Sequence, residues 1–260
     1  MGLFTPKEIV AQAENSAVYK AALPAQKVIV LGLLAGMYIA MGGLLSVLIG
    51  FGFPEITASN PGLQKLLSGI CFPIGLILVV LAGAELFTGN NAVLIPGVMN
   101  GKYKWSAVLK NWTLVYFSNF SGALFFSYVM IYLAGILDTN PWNAAIVKIA
   151  EGKVAMDWWT VFVKGIGANW LVCLAVWLGF SSKTTSGKFF GLWFPVMCFV
   201  AIGYEHSIAN MFFIPTGMLY GAETTIAQFV FNNLIPATLG NIAGGAIFVG
   251  LPYWYVYSKK

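Results

Sequence analysis

The chain has 260 residues, of which 59% are hydrophobic and 9% charged, and its mean hydropathy is +0.81. No soluble domain of this length needs so much apolar surface, so the composition excludes a water-soluble globule and describes an integral membrane protein. The formal net charge of +5 reflects a sorting of lysines between loops and gives no ground for nucleic-acid binding.

The first 26 residues carry Lys7, Glu8, Glu14 and Lys20 and lack a long apolar run beside a small-residue cleavage site, so no cleaved signal peptide is expected. Pro6 to Tyr19 reads as a short amphipathic helix lying on the membrane surface. Apolar stretches then run over 27–49, 66–98, 108–136, 158–180, 189–219 and 228–257, each long enough to cross a ~30 Å hydrocarbon core at about 1.5 Å per residue. They are too long and too evenly apolar for transmembrane β-strands, which alternate every second residue. The pattern predicts an all-α membrane protein with six transmembrane helices in one domain over 1–260. Its parts are a cytoplasmic or interfacial helix in 1–26, three spans in 27–136, an external loop at 137–157 and three further spans in 158–257.

Orientation follows from the 14 lysines, since the chain has no arginine and short Lys-rich loops stay cytoplasmic. One face collects Lys7, Lys20, Lys27, Lys102, Lys104, Lys110, Lys183, Lys188, Lys259 and Lys260. The other has Lys65, Lys148 and Lys153 beside Glu55, Asp138, Glu151, Asp157 and Glu223. Both termini are therefore expected in the cytoplasm, in a plasma or inner membrane. Cys71, Cys173 and Cys198 sit inside spans without metal-like spacing and read as small buried hydrophobes. Neither a metal site nor a cofactor motif is expected.

Two polar stretches break the second and fifth apolar segments at matching places: AELFTGN at Ala84 to Asn90 and YEHSIAN at Tyr204 to Asn210. Each holds a Glu followed five residues later by an Asn, Glu85 with Asn90 and Glu205 with Asn210. Polar groups at that depth are costly and usually mark a solute path. The third and sixth spans repeat as well: Asn111, Asn119 and Gly122 have the same spacing as Asn233, Asn241 and Gly244. Three spans per copy turn the second copy upside down, which predicts an inverted repeat whose broken helices meet near the bilayer midplane. Gly32, Gly36, Gly42, Gly43, Gly240, Gly244 and Gly245 fall where helix backbones can approach closely.

A helix that stops in mid-membrane leaves amide and carbonyl groups needing partners. Glu85 and Glu205 read as helix-break caps accepting amide hydrogen bonds rather than as solute ligands. Two half-helix N-termini facing one cavity favour a small anion over a cation, with Thr88 and Ser207 as further hydroxyl donors. His206, the single histidine, stands in the second interruption. It is a candidate titrating group that Asn169 and Asn241 are placed to orient. Phe72, Leu76, Leu86, Val172 and Phe199 are candidate constrictions gating by exclusion of water, with ordinary core packing as the other reading. Lys20 and Lys153 lie near the two mouths, where they would raise the local anion concentration or act simply as solvated loop lysines.

At these residues the sequence resembles the formate/nitrite transporter family, whose relatives include hydrosulfide channels. The resemblance spans nearly the whole chain through GAELFTGN (83–90), KNWTLVYFSNFSGAL (110–124), NWLVCLAVW (169–177), YEHSIANMFFIPTG (204–217) and NNLIPATLGNIAGGAIFVGLPYW (232–254). It implies an aquaporin-like protomer with broken second and fifth helices, five protomers in a ring and an anion pore through each. By the same resemblance His206, Thr88 and Asn169 match central-site residues, Phe72, Leu76, Leu86, Val172 and Phe199 match two constrictions, and Lys20 and Lys153 match vestibule lysines. GNN at 89–91 departs from the Ser/Thr-rich continuation of formate channels.

The expected function is transport of a small monovalent anion across the bilayer by a homopentamer. Formate is the first candidate and nitrite or hydrosulfide the alternatives. Thr88, Asn169, Glu205, His206 and Asn241 would line the centre, and His206 would couple flux to pH. A water or glycerol channel shares the six-span inverted repeat, but carries Asn-Pro-Ala motifs and a pore arginine that this sequence lacks. A membrane enzyme would need a nucleophile or metal set beside Glu205 and His206, and the sequence offers none.

Overall fold

Among the described residues six helices are long and apolar enough to cross a membrane: Ala25–Gly50, Pro61–Ala82, Trp105–Tyr132, Trp158–Ser181, Thr185–Ile202 and Gln228–Tyr257. They come from a computed structural model that describes residues 2–258. Lys259 and Lys260, two of the lysines counted on the Lys-rich face, lie outside the described residues. In chain order the helices are α1 (Pro6–Ala22), α2 (Ala25–Gly50), α3 (Pro54–Ser59), α4 (Pro61–Cys71), α5 (Ile74–Ala82), α6 (Phe87–Met99) and α7 (Trp105–Phe125). The second half adds α8 (Trp142–Val154), α9 (Trp158–Ser181), α10 (Thr185–Ile202), α11 (Ser207–Leu219), α12 (Ile235–Ile242) and α13 (Leu251–Tyr257). Wider π-helical turns over Phe126–Tyr132, Gln228–Leu234 and Ala243–Gly250 complete the third and sixth spans. Such turns are rare and cluster at functional sites.

The second and fifth spans break where the sequence predicts. Gly83 and Gly203 end α5 and α10 in the left-handed region, with φ of 84° and 86°, a conformation that glycine adopts without strain. Leu86 and His206 then run extended, and α6 and α11 start at Phe87 and Ser207. The third span was expected to reach residue 136, but its helical run stops at Tyr132 and turns follow.

Helices meet closely where small residues allow it. A Cβ on Gly36 would strike the backbone oxygen of Asn119, and one on Gly122 that of Leu33. These glycines therefore bring α2 and α7 into backbone contact. Gly165 and Gly240 do the same for α9 and α12, since a Cβ on Gly240 would meet Phe162 O. Without a hydrophobic driving force between helices in lipid, such close packing is a main source of cohesion.

Two segments differ from expectation. Helix α1 carries a capping box, Thr5 Oγ1 accepting from Glu8 N and Glu8 Oε2 from Thr5 N, but it does not lie free on the bilayer. Val10, Ala13 and Ala17 are buried against α6 and α9, because so narrow a stripe of small side chains fits a protein groove. Within 137–157, read as an external loop, Trp142–Val154 forms helix α8. Its neighbour Asp157 caps α9, and the Thr160 hydroxyl with the Trp159 and Thr160 amides holds that carboxyl below its usual range. Helices α1 and α8 occupy matching places in the repeat. Twelve residues separate Lys20 from Gly32, and twelve separate Lys153 from Gly165.

Candidate functional site

The broken ends are satisfied in the same way in both halves. Asn119 Oδ1 accepts from Phe87 N at 3.0 Å, while its Nδ2 donates to Gly32 O and Glu85 O at 2.8 and 2.9 Å. Asn241 Oδ1 accepts from Ser207 N at 2.8 Å, and its Nδ2 donates to Gly165 O and Glu205 O at 2.8 and 3.0 Å. Two buried asparagines therefore close both breaks. The carboxylates expected to cap the breaks do something else. Among the described residues Glu85 and Glu205 accept no backbone N–H; they bind side-chain amides and lysines. Lying inside each break, two residues before the half-helix begins, each carboxylate is taken up by a side-chain amide and a lysine rather than by the helix end it was expected to cap.

Glu85 Oε2 accepts from Asn90 Nδ2 at 2.7 Å and its Oε1 from Lys20 Nζ at 2.6 Å. Glu205 Oε2 accepts from Asn210 Nδ2 at 2.7 Å and Asn233 Nδ2 at 3.1 Å, with Lys153 Nζ at 2.8 Å on Oε1. Asn111 and Asn233 in turn accept from Asn90 and Asn210. Both carboxylates are 3% exposed, so each lysine is the counter-ion of a buried charge. This alters the electrostatic expectation for Lys20 and Lys153. Each forms a neutral pair rather than a free positive charge at a mouth.

Two cavities approach the breaks from opposite sides. One, of about 210 Å³, is lined by Lys20, Leu76, Glu85, Leu86 and Val93. The other, of about 240 Å³, is lined by Phe72, Lys153, Phe199, Glu205, His206 and Phe213. Leu76 and Leu86 thus fall on one side, Phe72 and Phe199 on the other, and each of the four is only 2% exposed. On the Lys20 side the two constriction candidates, Leu76 and Leu86, are aliphatic. The Lys153 side is aromatic, with Phe72 edge-on to Phe199 at 5.7 Å between ring centroids and Phe199 stacked on His206 at 5.8 Å. Val172 is equally buried but borders neither cavity.

The two half-helices meet through Thr88 and His206, whose Oγ1 and Nε2 lie 3.0 Å apart. His206 also N-caps α11, its Nδ1 accepting from Ala209 N at 3.1 Å. That bond fixes the tautomer. The neutral ring carries its proton on Nε2 and donates it to Thr88 Oγ1, which leaves the Thr88 hydroxyl hydrogen free. Ser207 Oγ is buried and has no partner among the described residues, so a second hydroxyl is available at the start of α11. Asn169 and Asn241, expected to orient the imidazole directly, act one step away. Asn169 Nδ2 donates to Thr88 O, Asn91 Oδ1 and Asn241 O, and Asn241 fixes the backbone on either side of His206.

Sequence reasoning used Asn111, Asn119 and Asn233 as repeat markers and left them out of the site. Their identical spacing to Asn241 and its neighbours was the signal that could have placed them there. Asn91, which receives Asn169, and Phe213, on the wall of the aromatic cavity, lie within the GNN and YEHSIANMFFIPTG stretches, but neither stretch by itself gives them a site role.

Residues 7–255 match the formate/nitrite transporter family. A probable formate transporter of Methanothermobacter thermautotrophicus is 44% identical over 98% of both chains. The formate channel FocA of Escherichia coli K12 is 36% identical over 99% of this chain and 96% of its own. Among solved structures, an FNT family ion channel superposes with a TM-score of 0.83 at 32% identity, covering 95% of this chain and 98% of its own. A pentameric formate channel with formate bound superposes at 0.78 and 34%, covering 90% and 98%. Agreement in sequence over nearly the full length and in fold, with six spans broken at the second and fifth, makes this a multi-pass membrane transport protein and not an enzyme. It belongs to the formate/nitrite transporter family.

Proposed function

We propose that the chain is a homopentameric channel for a small monovalent anion, formate first, with a pore through each protomer. The observation that carries this is the meeting of two half-helix N-termini at Thr88 and His206, between two cavities that end on apolar side chains. Partial positive charge at both helix starts suits one small anion, and the hydroxyls of Thr88 and Ser207 offer it donors. Leu76 and Leu86 on one side and Phe72 and Phe199 on the other strip water and slow entry. The formate-named relatives and the pentameric neighbour support the substrate and the ring; nitrite and hydrosulfide share the charge and size but have less support among them.

His206 sits where it can govern pH dependence. In the described geometry it donates a hydrogen bond from Nε2. Delivering a net proton to the anion requires Nδ1 to gain one first and to release the Ala209 amide. Lys20 and Lys153 hold Glu85 and Glu205 neutralised so that neither carboxylate repels the anion. The lysine distribution supports termini in the cytoplasm of a plasma or inner membrane. Purified protein in liposomes should carry labelled formate, with nitrite competing, and native mass spectrometry should give a pentamer. Absence of anion flux from a folded pentamer would overturn the proposal.

A further inference from the structure

The two cavities differ in a way that the repeat makes visible. Counted from the equivalent glutamates, Phe213 stands eight residues after Glu205, and Val93 stands eight after Glu85. Both line their cavities, yet at this matched position only the Lys153-side cavity has a ring. Phe213 stacks on Phe72 with centroids 6.5 Å apart and planes 22° from parallel, and Phe72 is edge-on to Phe199. The Phe72 ring therefore contacts two other rings, Phe213 and Phe199. The Lys153 ammonium lies 5.5 Å from the Phe213 centroid while donating to Glu205, so the same ring also seats the ion pair. Phe213 also packs near Gly43 of α2. A Cβ on Gly43 would come within 2.5 Å of the Phe212 ring and 3.4 Å of the Phe213 ring.

We propose that Phe213 is the third ring of the Lys153-side constriction and sets the size limit of the permeating anion, by wedging Phe72 against Phe199. The inference rests on the reading of the two cavities as one pore. A ring held by two aromatic partners turns less freely than one held by a single partner, because aromatic contacts and close packing both oppose rotation. Replacing Phe213 with an aliphatic side chain removes one of the two. Phe72 can then swing aside for an anion one methyl group larger than formate.

The test is the acetate-to-formate flux ratio in liposomes for the wild type, Phe213→Leu, Phe213→Met and Phe213→Tyr. A ratio cancels losses from poor folding or low incorporation, which reduce both fluxes together. The Leu and Met variants should raise it by about tenfold, the lower end of what a hydrophobic site discriminates per methylene, and Tyr should return it to the wild-type value. If Leu does not assemble, Met carries the test. Unchanged ratios in variants that conduct formate would overturn this assignment and leave the pore reading intact. A wild-type pentamer that passes neither anion would overturn the pore reading and this assignment with it.

Discussion

Lys153 donates to the buried carboxylate of Glu205 at 2.8 Å, and the pair is neutral. Lys153→Ala therefore adds a net negative charge beside the path rather than subtracting a free positive one. A free charge at the mouth would be screened by salt over about 10 Å at 0.1 M; a carboxylate 3% exposed is screened far less. The expected result is a loss of formate flux of about tenfold or more that persists at high salt, since breaking a buried pair strands its partner. Lys153→Ala combined with Glu205→Gln should recover most of it. A loss that vanishes in high salt would show that Lys153 acts as an isolated surface charge.

Asn119 and Asn241 each make two bonds to the backbone at a broken helix and a third to a carbonyl of an unbroken helix, α2 or α9. Alanine at either position strands the N–H and the carbonyl at the break, at about 1–3 kcal/mol for each buried group left unpaired. Both variants should lose several degrees of thermal stability in detergent, by similar amounts because the two environments match. Melting temperatures equal to the wild type would mean that water reaches the broken ends.

The hydroxyl of Thr88 accepts from His206, so its own hydrogen is left free to donate. Thr88→Val keeps the shape and removes both functions, while Thr88→Ser keeps both. Formate flux should fall about tenfold for Val, the scale of one hydrogen bond of roughly 1.4 kcal/mol, and stay near wild type for Ser. Equal fluxes in Val and wild type would remove Thr88 from the central site.

The spans and their breaks were legible because hydropathy and the paired Glu…Asn stretches act over a few residues. The pairing of those glutamates was not, since Lys20 is 65 residues from Glu85 and Lys153 is 52 from Glu205; sequence alone suggested two free mouth lysines. Helix α8 went unseen because Trp142–Val154 carries three charged side chains among its apolar ones and has no membrane-length run. The repeat held more than was taken from it: the same spacing that marked Asn241 marked Asn119. The aromatic character of one cavity arises from Phe72, Phe199 and Phe213, which come from the turn between α4 and α5, from α10 and from α11 and share no local pattern.

His206 joins two roles in one ring, a cap on α11 through Nδ1 and a contact to Thr88 through Nε2. An anion between two apolar constrictions must cross the next one charged, at a large desolvation cost, or gain a proton and cross neutral. His206→Asn separates these roles. Asparagine is among the best N-cap residues, so α11 keeps its cap and the pentamer should still form, but the titrating imidazole is gone. Formate uptake into liposomes should depend on pH in the wild type, because protonation of Nδ1 competes with its bond from Ala209 N, and should be nearly flat in the variant over the same pH series. Matching profiles for the two proteins would remove the proton from the mechanism and leave His206 as a cap and hydrogen-bond donor.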